Sequence, residues 1–163
     1  MADRMKVFFD TEFIDTGFEI DLISIGLIRE DEETLYLVSS EYNHHTKDQW
    51  VRDNVLIHIP TTADKYPRDH IAEMIKNFLA DVEKPEFWAY YADYDWVALC
   101  QLYGRMLDIP SNWPKYCRDL KQLADDLNLR LPPKPAVEHH ALADARWVKD
   151  SFDFCISQRK VVV

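Results

Sequence analysis

The sequence predicts an α/β fold with a mixed central sheet, and three observations carry that prediction. Val7-Phe8-Phe9-Asp10-Thr11-Glu12-Phe13 is apolar on both faces of a short segment, the pattern of a strand buried from both sides at the centre of a sheet. Ile20 to Arg29 and Leu35 to Val38 follow it across short polar connections, which implies an antiparallel meander of three strands. Ile71, Met74, Ile75, Phe78, Leu79 and Val82 then recur at the spacing of one helical face. A helix at that place is the crossover that a further, parallel strand requires.

Each element has its own local reason. Strand one ends in two carboxylates one residue apart, Asp10 and Glu12. Side chains alternate along a strand, so both point to one side, about 7 Å apart along the chain. Strand two is rich in β-branched residues (Ile20, Ile23, Ile25, Ile28), which favour the pleated conformation. Asp31-Glu32-Glu33 is a polar turn before strand three. Tyr42 to Thr62, with Asn43-His44-His45, Trp50 and Val55-Leu56-Ile57, reads as a loop with short helical pieces.

The helix from Ile71 has Asp69 as its expected cap and Pro85 beyond its end. Phe87 to Tyr91 reads as a fourth strand, parallel to the first. Trp96, Leu99, Cys100 and Tyr103 mark a helix with Gly104 at its C-terminal end. Leu120, Leu123, Ala124 and Leu127 mark the next, capped by Asp119. Leu131-Pro132-Pro133-Lys134-Pro135 is a stiff extended linker, and a last helix runs from about Ala141 to Gln158. No internal repeat or domain boundary interrupts residues 1–163, which read as a single domain of β-β-β-α-β-α-(β)-α order.

Composition narrows the function classes. A chain of 163 residues with 47% hydrophobic and 13% aromatic content can bury a full core. No apolar run approaches the roughly 20 residues needed to span a bilayer. Met1 to Lys6 lacks the apolar core of a signal peptide, and Cys100, Cys117 and Cys155 fit neither a disulfide framework nor a zinc site. A cytoplasmic protein with reduced thiols is expected. The net charge of −10 argues against a protein that coats long nucleic acid. It leaves room for an enzyme that grips a few nucleotides through metal ions, because a carboxylate-rich site adds to the negative count while its metals supply positive charge.

Chemistry is concentrated in four acids. Asp10 and Glu12 repel one another at the end of a buried strand, and desolvating each costs several kcal/mol unless a positive partner is present. A divalent cation with hard oxygen ligands, Mg²⁺ or Mn²⁺, meets that need. Acids that simply reach solvent are the alternative. Asp144 shares a helical stripe with Ala141, Ala145, Val148, Phe152 and Cys155, so a charge lies in the face that packs on the sheet. Its alternative role is to favour the positive end of the helix dipole. Asp95 lies where the fourth strand hands over to a helix, and a capping role is open to it and to Asp93. In an open α/β sheet, ligands bind at the strand ends where such residues converge.

These residues, in this order, resemble the DEDD exonuclease superfamily. Asp10-x-Glu12 in a first strand, Asp95 followed by Leu99, and His139-His140-Ala141-Leu142-Ala143-Asp144 match its three motifs. The His-x-x-x-x-Asp spacing is similar to the histidine subclass, and the length is similar to small bacterial exoribonucleases of the RNase T and polyadenylate-trimming type. The superfamily often has Asn three residues before the second-motif Asp; here that residue is Ala92, which has no side-chain amide to make a contact assigned to the Asn.

The resemblance implies a ribonuclease H-like fold over one 3′-5′ exonuclease domain. It implies release of nucleoside 5′-monophosphates from single-stranded RNA 3′ ends, with adenylate-rich ends a candidate preference, and a homodimer. Two Mg²⁺ (or Mn²⁺) ions are expected per site: Asp10 bridging both, Glu12 and Asp144 completing one, Asp95 supporting the other. His139 is the expected general base, since imidazoles titrate near neutral pH. Helical geometry would favour His140, which lies i to i+4 from Asp144. The linker ends at Pro135, however, so His139 stands just ahead of the helix, where a side chain reaches over the acids, and the family spacing agrees. Phe13, with Thr11 and Leu99, is the expected substrate contact, Phe13 stacking on a terminal base. Arg118, Lys121, Arg146 and Lys149 are candidates for phosphate contacts or for solvated helix faces. Three other readings stay open: a DNA exonuclease, a Mg²⁺-dependent phosphohydrolase of free nucleotides, and a non-catalytic nucleotide-binding module of the same fold.

Overall fold

Six strands form one sheet, ordered β4-β3-β2-β1-β5-β6, in a computed structural model that describes residues 4–137 and 139–159. Met1 to Asp3, part of the segment read for a signal peptide, lie outside the described residues. β1 (Met5–Asp15), β2 (Ile20–Arg29) and β3 (Thr34–Ser39) form the expected antiparallel meander. β1 also pairs in parallel with β5 (Pro85–Ala89), so the mixed sheet changes direction at β1. The two-residue β4 (Lys65–Tyr66) and β6 (Arg118–Asp119) close the edges.

Helices cover both faces. α2 (Arg68–Phe78) and α3 (Asp93–Gln101) pack with Val7, Phe9, Leu27 and Phe87 on one side. α4 (Leu120–Asp126) and α5 (Ala141–Arg159) bury Phe8, Trp88, Val148 and Phe152 on the other. Alternate residues of β1 therefore serve two separate cores, which is why Val7, Phe8 and Phe9 are apolar in succession. The Tyr42–Thr62 stretch holds α1 (Gln49–Asn54) and a 3-10 turn at Leu56–His58, anchored by Val51 and Val55 against Ile23 and Val38.

Several expectations are corrected at element ends. Asp69 does not cap α2; Pro67 holds the N-cap position, with its fixed φ suited to the helix start, and Asp69 lies in the first turn. Val82 is buried beyond the helix rather than within it. The fourth long strand runs Pro85–Ala89, not Phe87–Tyr91, because Tyr91 turns the chain with φ 51°. Tyr103 lies past the end of α3, and Gly104 (φ 114°) makes the turn there. Asp119 caps α4 as expected, accepting from the Lys121 N–H at 2.8 Å.

Candidate active site

β1 and β5 part company at the site. Their pairing ends at Phe8–Trp88, so the N–H groups of the second half of β1 lose a strand partner on that side. Asp95, in the first turn of α3, takes up the vacant place. Its Oδ1 accepts from the Thr11 N–H at 2.9 Å and from the Thr11 hydroxyl. Asp95 is thus held beside the strand that carries Asp10 and Glu12, rather than serving as an N-cap, a position occupied by Ala92. The Tyr91 and Ala92 N–H groups in turn donate to Asp119, at 3.2 and 3.1 Å, which fixes the corner leading into α3.

Asp144 arrives from the opposite face. Gly26 pairs with Asp10 across β1 and β2, and α5 begins directly over it. A Cβ on Gly26 would lie 2.5 Å from the Leu142 N and Cα and 2.6 Å from the Ala141 carbonyl carbon. Helix backbone and strand backbone touch, and this close approach lowers the first turn of α5 onto the acids. Asp144 is 4% exposed and its Oδ2 accepts from the His139 N–H at 2.9 Å. A β-bulge between Glu12 and Phe13 falls at the same level, where bulges commonly re-aim side chains.

Glu12, His139 and Asp144 offer ligand atoms within 4.8 Å of one another. The electrostatics match crowded, desolvated acids. Burial, then the charges of Asp144 and Asp95, push the Glu12 carboxyl up to about 8. Burial raises Asp95 to about 6, against the hydrogen bonds from Thr11. Asp10 is raised well above the carboxylate range by burial and by Asp95, Glu12 and Asp144. Asp10 Oδ2 is buried without a hydrogen-bond partner, a loss worth about 1–3 kcal/mol or more for a charged group. Hard, negative oxygen donors with a buried lone pair to spare suit a divalent cation.

The adjacent histidines have different environments. His140 stands at the start of α5: its carbonyl accepts from the Asp144 N–H at 2.9 Å and its Nδ1 from the Ala143 N–H at 3.4 Å. Its ring stacks on Tyr36, with centroids 4.5 Å apart. His139 precedes the helix in a left-handed conformation (φ 63°), which is unusual for a side-chain-bearing residue and turns it toward the acids. Its ring stands nearly perpendicular to that of Trp50, with centroids 4.8 Å apart. Backbone strain of this kind gathers at functional sites.

Asp10, Glu12, Asp95, Asp144 and His139 are brought together; the expected substrate contacts are divided. Phe13 is half-buried with its ring 5.9 Å from exposed Tyr94, a pair open to a base. Thr11 is buried and holds Asp95, and Leu99 is fully buried in the core, so neither presents a surface to substrate. Arg146 and Lys149 pair with Glu32, and Lys149 also pairs with Asp153. Arg118 pairs with Glu86 and Lys121 with Asp125. Sequence reasoning missed Trp50 and Gly26. An isolated glycine inside an otherwise β-branched strand was the available signal for Gly26; nothing local marked Trp50.

Comparison with known proteins identifies the family and the fold. The family model described as 3′-5′ exoribonuclease Rv2179c-like domain matches residues 5–156. Two relatives from Mycobacterium tuberculosis, 3′-5′ exoribonuclease Rv2179c (strain ATCC 25618 / H37Rv) and 3′-5′ exoribonuclease MT2234.1 (strain CDC 1551 / Oshkosh), are each 42% identical over 147 residues. The alignment covers 87% of this chain and 88% of either relative. Among solved structures, apo exonuclease I superposes with a TM-score of 0.60 at 15% identity, covering 91% of this chain and 41% of that one. A full-length 3′-exonuclease superposes with a TM-score of 0.54 at 11% identity, covering 95% and 81%. At these identities the structural likeness establishes the fold, the ribonuclease H-like arrangement of exonucleases.

Proposed function

The chain belongs to the family of Rv2179c-like 3′-5′ exoribonuclease domains, and from that premise we propose that residues 1–163 form one metal-dependent 3′-5′ exoribonuclease domain. It removes nucleoside 5′-monophosphates from single-stranded RNA 3′ ends, adenylate-rich ends being a candidate preference, in the cytoplasm. The observation that carries this reading is the convergence of four acids and His139 within β1, just beyond the point where its pairing with β5 stops, with Asp10 Oδ2 buried without a hydrogen-bond partner.

Asp10, Glu12, Asp95 and Asp144 would hold two divalent ions, Mg²⁺ or Mn²⁺. When bound, such a pair supplies electrostatic stabilisation to both the attacking and the leaving oxygen of an in-line displacement at phosphorus. The protein's own groups do the rest. Thr11 fixes Asp95 through two hydrogen bonds, and the first turn of α5 fixes Asp144. His139 takes a proton from the attacking water. The bond from phosphorus to the 3′ oxygen of the preceding nucleotide breaks, and that oxygen leaves with a proton from solvent. Phe13 and Tyr94 stack on the terminal base, a contact worth roughly 1–3 kcal/mol and tolerant of sequence. A homodimer completes the reading; sedimentation showing only a 19.3 kDa species would remove that part of it.

Incubating the protein with 5′-labelled RNA and DNA oligonucleotides, with Mg²⁺ and then with EDTA, tests the proposal. A metal-dependent ladder of one-nucleotide steps on RNA supports it. Preferential shortening of DNA would move the substrate class. Intact oligonucleotides with hydrolysed free nucleotides would identify a phosphohydrolase, and no turnover of either would identify a binding module.

A further inference from the structure

A cavity of about 710 Å³ opens between α4, the 131–135 linker and α5. Its lining includes Lys121, Arg130 and Lys134 with the aromatic rings of Tyr90 and Trp147. Asp125, also in the lining, pairs with Lys121, so the balance of charge there is positive in a chain of net charge −10. Two of its wall residues lie near the site along the chain. Trp147 lies three residues beyond Asp144 on α5, on the same helical face. Tyr90 follows β5 at the corner that leads to Asp95.

The cavity's cation is built in. Lys134 Nζ lies 5.4 Å from the Tyr90 ring centroid and 5.2 Å from that of Trp147, while the two rings meet edge to face at 5.0 Å. The Trp147 indole N–H donates to the Pro132 carbonyl at 3.1 Å and ties the linker to α5. Cation–π contact orients an ammonium but leaves its N–H groups available to an anion. Lys134 is close enough for its charge to lower both Asp10 and Glu12 against the larger effects that raise them.

We propose that this cavity receives the RNA strand on the 5′ side of the scissile bond, with Lys134 and Arg130 on successive phosphates and exposed Tyr91 beside the bases. The inference rests on the exoribonuclease reading above. A 3′ exonuclease holds only two things, the terminal nucleotide and its 5′ continuation; Phe13 and Tyr94 suit the first, and a cationic, aromatic cleft suits the second. The cleft also resolves a difficulty of charge, because a polyanion approaching an acidic protein needs a local positive path.

The test compares wild type with Arg130→Ala and with the double variant Arg130→Ala/Lys134→Gln on a dinucleotide and on a longer oligoribonucleotide, across a series of KCl concentrations with Mg²⁺. Both positions are exposed, so the variants should fold, which thermal unfolding verifies. Arg130→Ala should raise KM for the longer RNA several-fold and leave dinucleotide cleavage unchanged. The double variant should raise KM for the longer RNA by roughly tenfold or more, as expected for lost charged hydrogen bonds. The dependence of log kcat/KM on log salt should flatten by about 0.7 for each phosphate contact removed. If wild type degrades RNA but KM and salt slope are the same in the variants, the cavity is not the strand's path and the inference fails alone. If wild type leaves both RNAs intact, the exoribonuclease reading fails and takes the inference with it.

Discussion

His139 and His140 show how one position in the chain separates two chemistries. His140 is spent on structure: its Nδ1 accepts the Ala143 N–H, and its ring lies on Tyr36. His139 stands outside the helix, turned by its positive φ toward Glu12 and Asp144. His139→Ala should lower kcat on the order of 10²–10⁴-fold, the usual worth of a positioned base, with metal binding retained. His140→Ala should cost about 1 kcal/mol of stability through the lost helix-start contact and far less activity. Single-turnover rates of both at saturating Mg²⁺ decide the assignment, and a larger loss at His140 reverses it. The residues of this centre were legible in sequence because charge is conspicuous in an apolar pattern: Asp10 and Glu12 break into a two-sided apolar strand, which runs on past them to Asp15, and Asp144 interrupts a packing stripe. Leu99 and Thr11 were not, because the same letters fit a surface contact and a core position. Only the tertiary fold reveals that Leu99 is sealed and that Thr11 faces Asp95.

At the scale of elements, the seating of α5 on β2 is the contact that brings the two halves of the site together. Gly26, opposite Asp10, is the point of contact. Gly26→Ala would set a methyl group 2.5 Å from helix backbone, and neither backbone is a flexible end that can yield cheaply. The first turn of α5 must then lift, carrying Asp144 and His139 away from Asp10 and Glu12. Stability should fall by about 1–3 kcal/mol, as for overpacking elsewhere, and turnover should fall more than stability alone explains. Thermal unfolding and kcat measured together check this; wild-type values for both would show that the contact does not position the site. The long elements could be read from periodicity: β1 to β3, α2 and α5, of which α5 was placed to within a residue at both ends. β4 and β6 have two residues each, too few for any period to register. Pro67 and Tyr91 moved the boundaries of α2 and β5 because caps and positive-φ turns follow local backbone geometry that hydrophobic spacing does not encode.

For the molecule as a whole, the fold maintains a cluster of acids that its own electrostatics oppose. β1 and the helices on both faces, α3 and α5, bring four carboxylates together beside the second half of β1, and their repulsion is part of the cost of folding without metal. Glu12 is raised from its usual 4.5 to about 8 and Asp95 from 3.8 to about 6, with Asp10 raised as well. Between the ordinary and the raised values the folded protein binds more protons than the unfolded chain. Stability therefore falls as pH rises through that interval. The metal-free protein should melt at a higher temperature near pH 5 than near pH 8, and added Mg²⁺ should raise the melting temperature most at the upper end, where the acids are ionised. Net charge of −10 acts in the same direction through general repulsion, so a pH series alone does not isolate the cluster. Asp10→Asn does. It removes one central carboxylate and changes the total charge by a single unit, so it should raise the metal-free melting temperature at pH 8, shrink the Mg²⁺-induced rise and abolish turnover. Retention of substantial Mg²⁺-dependent turnover in Asp10→Asn, or an unchanged Mg²⁺ response in its melting, would locate the metal-binding chemistry away from the acids of β1.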